Sequence, residues 1–284
     1  MLVVTVLMVV GMSCTSPAVP KEDVYHRVRL ITKPYVFDFV SWEAQAIYSL
    51  VVKPASGWSS LNQEDKLRSE IEAVLWGNGI SVFPPLNFKL EQPPHLLVIS
   101  PRDRIFYLDR VMLRQNLSLA EMEKIEAEVD KLSVSSLVAE LGGFGATYPP
   151  IVAGDTSLTF MIDTVVEEWL HQHLAFRPLG FRYVLDSIGI AQDPNIIIMN
   201  ETLAGMVSKE IGSQVYARYY DAQEPAKNEK KSLGLDFNAE MRQTRNNIDK
   251  YLSRGDIEGA ERYMEEQRQV FLAHGYNIRK LNQA

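Results

Sequence analysis

Glu167, Glu168, His171 and Glu201 are the residues of this chain whose types and spacing fit chemistry at an ion. In a helix, residues four apart lie one above the other, so Glu167 and His171 can reach a common ion. Glu168 sits between them in angle. Glu201, about thirty residues after His171, opens a second helical pattern and can supply a third ligand. Zinc accepts nitrogen, sulfur or carboxylate ligands, and a catalytic site usually takes three from protein and leaves a position for water. Glu168 would then polarise that water. A plainer alternative stands beside this one, because Glu and His on the polar stripe of an amphipathic helix commonly form its solvated face. Crowding Asp163, Glu167 and Glu168 without a cation raises at least one carboxyl pKa by like-charge repulsion. Either a metal neutralises the patch or the patch faces water.

Positioning these groups needs two helices. The first spans Leu158 to Phe176, with apolar residues at Leu158, Met161, Ile162, Val165, Val166, Trp169, Leu170 and Leu174. Positions 164, 167, 168, 171 and 175 make the opposite stripe. Arg177-Pro178-Leu179-Gly180 ends it. The second runs from Glu201 to Tyr220, with Asn200 as its N-cap. Glu201, Gly205, Ser208 and Gly212 form a stripe of small residues behind a carboxylate, which lets two helices approach closely. Upstream, residues 142–150 (GGFGATYPP) read as an edge strand or a glycine-rich connector lining a cleft.

Elsewhere the pattern predicts helices over Phe37–Val52, Gln63–Trp76 and Leu119–Leu141, the last capped by Ser118, and a buried strand over His95–Ser100. Phe237–Leu252 and Asp256–Ala273 read as a helical hairpin. The fold class is therefore α+β and mostly helical, with a small sheet and a C-terminal hairpin over 237–273. No boundary divides residues 21–284, which read as one globular domain. His173 points away from the stripe, and His26, His95 and His274 lack ligand spacing to any partner.

A net charge of −7 argues against nucleic acid as a partner, since phosphate binding needs concentrated Lys and Arg. Residues 1–12 are almost wholly apolar, too short to span a bilayer comfortably but suited to the apolar region of a secretory signal. No basic segment precedes them, which places a start upstream and keeps a transmembrane anchor open. Cys14 is the only cysteine, so it has no disulfide partner in the chain. Gly11-Met12-Ser13-Cys14 resembles a bacterial lipoprotein processing site, with Gly11 where Leu or Val is usual. Lipid attachment at Cys14 and a role within a signal or anchor segment both remain open. Residues 1–20 thus read as signal or anchor and tether, holding the protein at the extracytoplasmic face of a membrane.

Glu167-Glu168-Trp169-Leu170-His171, followed by Asn200-Glu201, resembles a degenerate form of the HExxH…NE pattern of gluzincin metallopeptidases, the thermolysin-like and aminopeptidase-like group. The similarity runs from Gly142 to Tyr220, and the whole is similar to membrane-attached bacterial proteins of this broad type. It implies Zn2+ held by His171 and Glu201, with Glu167 in place of the first His ligand and Glu168 as general base. It implies a peptide or protein substrate laid along Gly143, Phe144, Gly145, Ala146 and Thr147, and a tyrosine, Tyr216 or Tyr219, steadying the tetrahedral intermediate. Glu for His lowers the charge on the ion and makes its water less acidic. Three functions follow in order: a membrane-anchored zinc peptidase, a catalytically inactive zincin-like binding or scaffold lipoprotein, and a carboxylate-bridged iron protein. The third needs a second Glu-x-x-His that the chain lacks.

Overall fold

A computed structural model describes residues 21–52, 60–187, 193–220 and 234–284. The expected signal, tether and Cys14 lie outside the described residues. In chain order come α1 (Lys21–Thr32), α2 (Phe39–Val52), α3 (Ser60–Gly77), β1 (Lys89–Leu90), β2 (His95–Pro101) and β3 (Asp109–Leu113). Next are α4 (Leu119–Asp130), β4 (Val134–Glu140), β5 (Gly143–Phe144), β6 (Ile151–Val152) and α5 (Leu158–Ala175). Last come α6 (Pro178–Ser187), α7 (Pro194–Tyr219), α8 (Phe237–Ser253) and α9 (Ile257–Ala273). The fold is α+β and mostly helical, with two three-stranded sheets among the described residues. No helix among the described residues is long and apolar enough to cross a membrane.

The described residues group into two compact units, although the sequence shows no boundary between them. The first takes 21–37, 94–140 and 234–284. Its antiparallel sheet has the order β3-β2-β4, and β2 is the buried central strand predicted from His95–Ser100. Leu97, Ile99, Leu113, Val134 and Val138 from the strands pack with Met122, Ile125 and Val129 of α4 and Val28 of α1. The hairpin of α8 and α9 has its own small core of Ile248, Leu252, Ala260 and Met264.

One expectation fails here. The helix predicted over Leu119–Leu141 stops at Asp130, and Val134–Glu140 is a strand paired with β2. Ser118 does cap it, sharing a capping box with Glu121. Ser133 then takes a left-handed backbone, φ 61°, which turns the chain out of the helix. Val134, Ser135 and Ser136 are poor helix formers, and β2 buries its apolar side chains only if a second strand flanks it.

The second unit takes 38–52, 60–93, 141–187 and 193–220. Around fully buried Trp169 of α5 gather Leu67, Ile71 and Leu75 of α3, and Ala204, Ile211 and Val215 of α7. The Trp169 Nε1–H donates to the Pro84 carbonyl at 2.8 Å, satisfying its one polar atom. A second sheet, order β1-β6-β5, leaves β5 at its edge. The helix predicted over Leu158–Phe176 is α5, capped by Ser157. The next one begins seven residues before the predicted start: Asp193 is the N-cap of α7 and Pro194 its first residue. Asn200 is therefore interior to the helix and fully buried, not its cap. The first helix does end before Pro178, at Ala175, and after a break at Phe176 and Arg177 Pro178 opens a separate helix, α6.

Candidate metal centre

The polar stripe of α5 does not face bulk water. It lies against α7 and the glycine strand β5, and the small residues make that possible. A Cβ on Gly212 would sit 1.9 Å from Oδ1 of Asp163, and one on Gly205 would sit 4.0 Å from Oε1 of Glu167. Ser208, between them on the stripe, is buried. On the other side, a Cβ on Gly143 would lie 2.3 Å from Oε1 of Glu168, and one on Gly145 would lie 2.4 Å from its Oε2. Glycine at Gly143, Gly145 and Gly212 leaves the volume that the carboxylates of Glu168 and Asp163 occupy, whereas a Cβ on Gly205 would make only ordinary contact.

Glu167, His171 and Glu201 converge, each offering one ligand atom within 4.8 Å of the others. Nε2 of His171 is 3.8 Å from Oε2 of Glu201. Two donors on a tetrahedral zinc stand about 3.3 Å apart, given bond lengths of about 2.0–2.1 Å. The three groups need only close slightly to fit one ion. Glu201 is the most exposed of the three, its side chain 47 % accessible, whereas that of His171 is 17 % accessible.

Asn200 orients the imidazole. Its Nδ2 lies 2.8 Å from Nδ1 of His171, while its buried Oδ1 has no partner. A half-turn of the amide occupies the same space and puts the carbonyl oxygen against the ring nitrogen. The carbonyl oxygen then accepts from Nδ1–H, and the Nε2 lone pair faces Glu167 and Glu201. Metal-binding histidines are commonly held in this way through the other ring nitrogen. Burial also lowers the His171 pKa, opposed by the charge of Glu201, which favours the neutral ring, the form that binds metals.

The carboxylates are strained electrostatically. Burial pushes Glu168 up to about 8, with the charges of Glu167 and Glu201 adding to it and a hydrogen bond from the Gly145 backbone opposing it. Glu168 is only partly buried over all its atoms, but its carboxyl end is enclosed against the glycine strand. Burial raises Glu167 as well, and Glu201 and Asp163 add to the rise while Lys209 opposes it. Asp163 is raised to about 6 by burial, again against Lys209. Asp163 and Glu168 thus keep their protons to higher pH than exposed carboxyls do.

Other expected residues fall into place unevenly. Gly143 and Phe144 are β5, paired with β6 on one side. In the loop that follows, the carbonyls of Gly145 and Thr147 accept from Nε2 of Gln172 at 3.1 and 2.7 Å, and the Thr147 hydroxyl donates to the Pro149 carbonyl. Gly145, Ala146 and Thr147 are thus tied to α5, and Phe144 is the half-buried residue at the strand edge. Tyr216 and Tyr219 do not reach the centre. They lie 15 and 18 residues beyond Glu201 on the same helix, roughly 22 and 27 Å along its axis, and pack against the hydrophobic core. His173 bonds to the Phe83 carbonyl, and buried His95 lies 3.2 Å from the Arg114 carbonyl, so both are structural.

Sequence reasoning missed Tyr183 of α6. Its O–H donates to Oε1 of Glu201 at 2.9 Å, and its ring stacks on His171 with centroids 5.8 Å apart and 17° between planes. No spacing rule points to it, because α6 itself was unread.

Fold and site together define a helical α+β protein with a carboxylate-rich candidate metal centre on two packed helices. Set beside models of known families, curated proteins and solved structures, the chain matches none of them.

Proposed function

We propose that this protein is a membrane-attached, extracytoplasmic, metal-dependent hydrolase of the gluzincin type acting on peptide bonds, with zinc as its ion. One observation carries the reading: Glu167, His171 and Glu201 present three donor atoms within 4.8 Å of one another, beside the enclosed carboxyl end of Glu168. Residues 1–12 support membrane attachment through their apolar character.

The donors fit such an ion chemically. Two carboxylates and an imidazole are zinc ligands, and the Asn200 amide against Nδ1 fixes the direction of the imidazole. The ion, when bound, supplies a Lewis acid and an acidified water. The chain supplies the rest. Asn200 and the α7 helix fix the His171 ring. Glu168 carries a proton at neutral pH in the metal-free state, and a positive charge among its neighbours draws it toward the carboxylate form. A group poised in this way near the working pH suits a general base that takes a proton at its carboxylate and returns it to a leaving amine. The edge of β5 offers backbone groups to an extended peptide.

The test is metal content and hydrolysis in the full chain. After zinc reconstitution and removal of free metal, about one zinc ion per chain is expected, lost in His171→Ala and in Glu201→Ala. Hydrolysis of a generic fluorogenic peptide library should vanish in Glu168→Gln while zinc is retained. Wild-type protein that takes no zinc would leave the second reading, a non-catalytic zincin-like binding or scaffold protein. Glu167 in place of a histidine is the feature that favours it.

A further inference from the structure

The phenol of Tyr183 and the carboxylate of Glu201 divide the work of the third ligand between them. Oε1 accepts from Tyr183 at 2.9 Å, whereas Oε2 is the oxygen that faces Nε2 of His171 at 3.8 Å. We infer that Tyr183 is a positioning residue for the metal centre: it occupies one oxygen of Glu201 so that the other alone meets the ion, and its ring braces His171. The inference rests on the metal reading above.

The reasoning begins with exposure. A glutamate with nearly half its side chain in solvent samples several rotamers, and ordering it for a ligand opposes binding. Its neighbours on α7 do not restrain it, because Gly205, one turn further on, has no side chain. Restraint comes from α6, which packs against both α5 and α7 and brings Tyr183 to the site as a third element. His171 is then held on two sides, by Asn200 at Nδ1 and by the Tyr183 ring across its face.

The hydrogen bond has an electronic consequence too. Two carboxylate ligands leave the ion less positive than the usual two histidines and one carboxylate would. A phenol donating to Glu201 withdraws part of that negative charge and offsets the substitution at Glu167. A tyrosine that merely filled space would do neither.

Tyr183→Phe separates these possibilities, since it keeps the ring and removes the hydroxyl. The full chain is titrated with Co2+, whose visible absorption reports coordination number, and its metal-free thermal unfolding is measured alongside. For Tyr183→Phe the Co2+ dissociation constant should rise about tenfold, as for other residues that orient ligands. The visible bands should weaken as Oε1 joins the ion and coordination increases, while metal-free unfolding stays as in wild type. Equal affinity and an unchanged Co2+ spectrum would overturn the role of Tyr183 and leave the metal centre standing. A wild-type chain that binds no Co2+ would overturn the metal reading itself, and this one with it.

Discussion

Glu126 in the first unit and Glu168 in the second are both buried acids, and the chain treats them in opposite ways. Glu126 is 4 % exposed and fully paired. Arg279 donates to both its oxygens at 2.8 and 2.6 Å, and the Val138 N–H adds a third bond at 2.7 Å. Glu168 has one backbone N–H from Gly145 and two carboxylates as neighbours, and its pKa rises to about 8. A bidentate guanidinium is what a structural acid acquires when it is buried. Leaving Glu167 and Glu168 without one costs stability, and such a cost persists at positions kept for function. The contrast is what the proposed ion would account for.

Breaking the paired site should have the largest effect. Arg279→Ala leaves Glu126 only the Val138 N–H and Lys280 at 3.7 Å, and should destabilise the first unit by about 3 kcal/mol in urea unfolding. A loss well under 1 kcal/mol would mean that Glu126 is not dependent on its partner, and the contrast would weaken. Gly143→Ala comes next. Its Cβ would meet Oε1 of Glu168 at 2.3 Å and Cγ2 of Thr164 at 2.6 Å. The crowding should cost about 1–3 kcal/mol and displace the carboxyl, a change readable in denaturant unfolding and in zinc affinity.

Removing the unpaired charge should act in the opposite direction. Glu168→Gln should stabilise the metal-free protein by about 1 kcal/mol at pH 8, whereas Glu126→Gln should destabilise it. If both substitutions destabilise equally, the two acids are alike and the comparison fails. The pH dependence sharpens this. The folded pKa of Glu168, about 8, lies above the ordinary value of 4.5, so between them the folded state binds the proton that the unfolded chain releases. Stability of the metal-free protein therefore falls as pH rises from about 5 to 8, and the loss is complete above the folded pKa. Melting temperature against pH should show this slope in wild type and a flatter one in Glu168→Gln.

Much of the centre was legible before any coordinates. The spacing of Glu167 and His171 on one helix, and the small residues behind Glu201, were enough to predict that α5 and α7 meet and bring three donors together. Local periodicity encodes which residues share a face, and side-chain size encodes how closely two helices approach. The glycines of β5 were also readable as a place of close approach, though not that Glu168 is what approaches.

The errors came where local signals pointed two ways. Asn200 before Glu201 looks like a cap, but the stronger pair Asp193-Pro194 lies upstream, hidden behind Ile196, Ile197 and Ile198. Burying Asn200 in mid-helix is what made it available to His171. Leu119–Leu141 keeps helical spacing past Asp130, yet Val134 to Glu140 went to the sheet because β2 needed a neighbour.

By itself, then, the sequence determined the helices, their apolar and polar faces, and the candidate ligands, since these follow from residue type and period within one segment. Only the tertiary structure decided that the acidic stripe of α5 packs against α7 and β5, that Asn200 and Tyr183 contact His171 and Glu201, and that Tyr216 lies far from them. Those outcomes depend on which faces meet across tens of residues, and no pattern within a single helix carries that information.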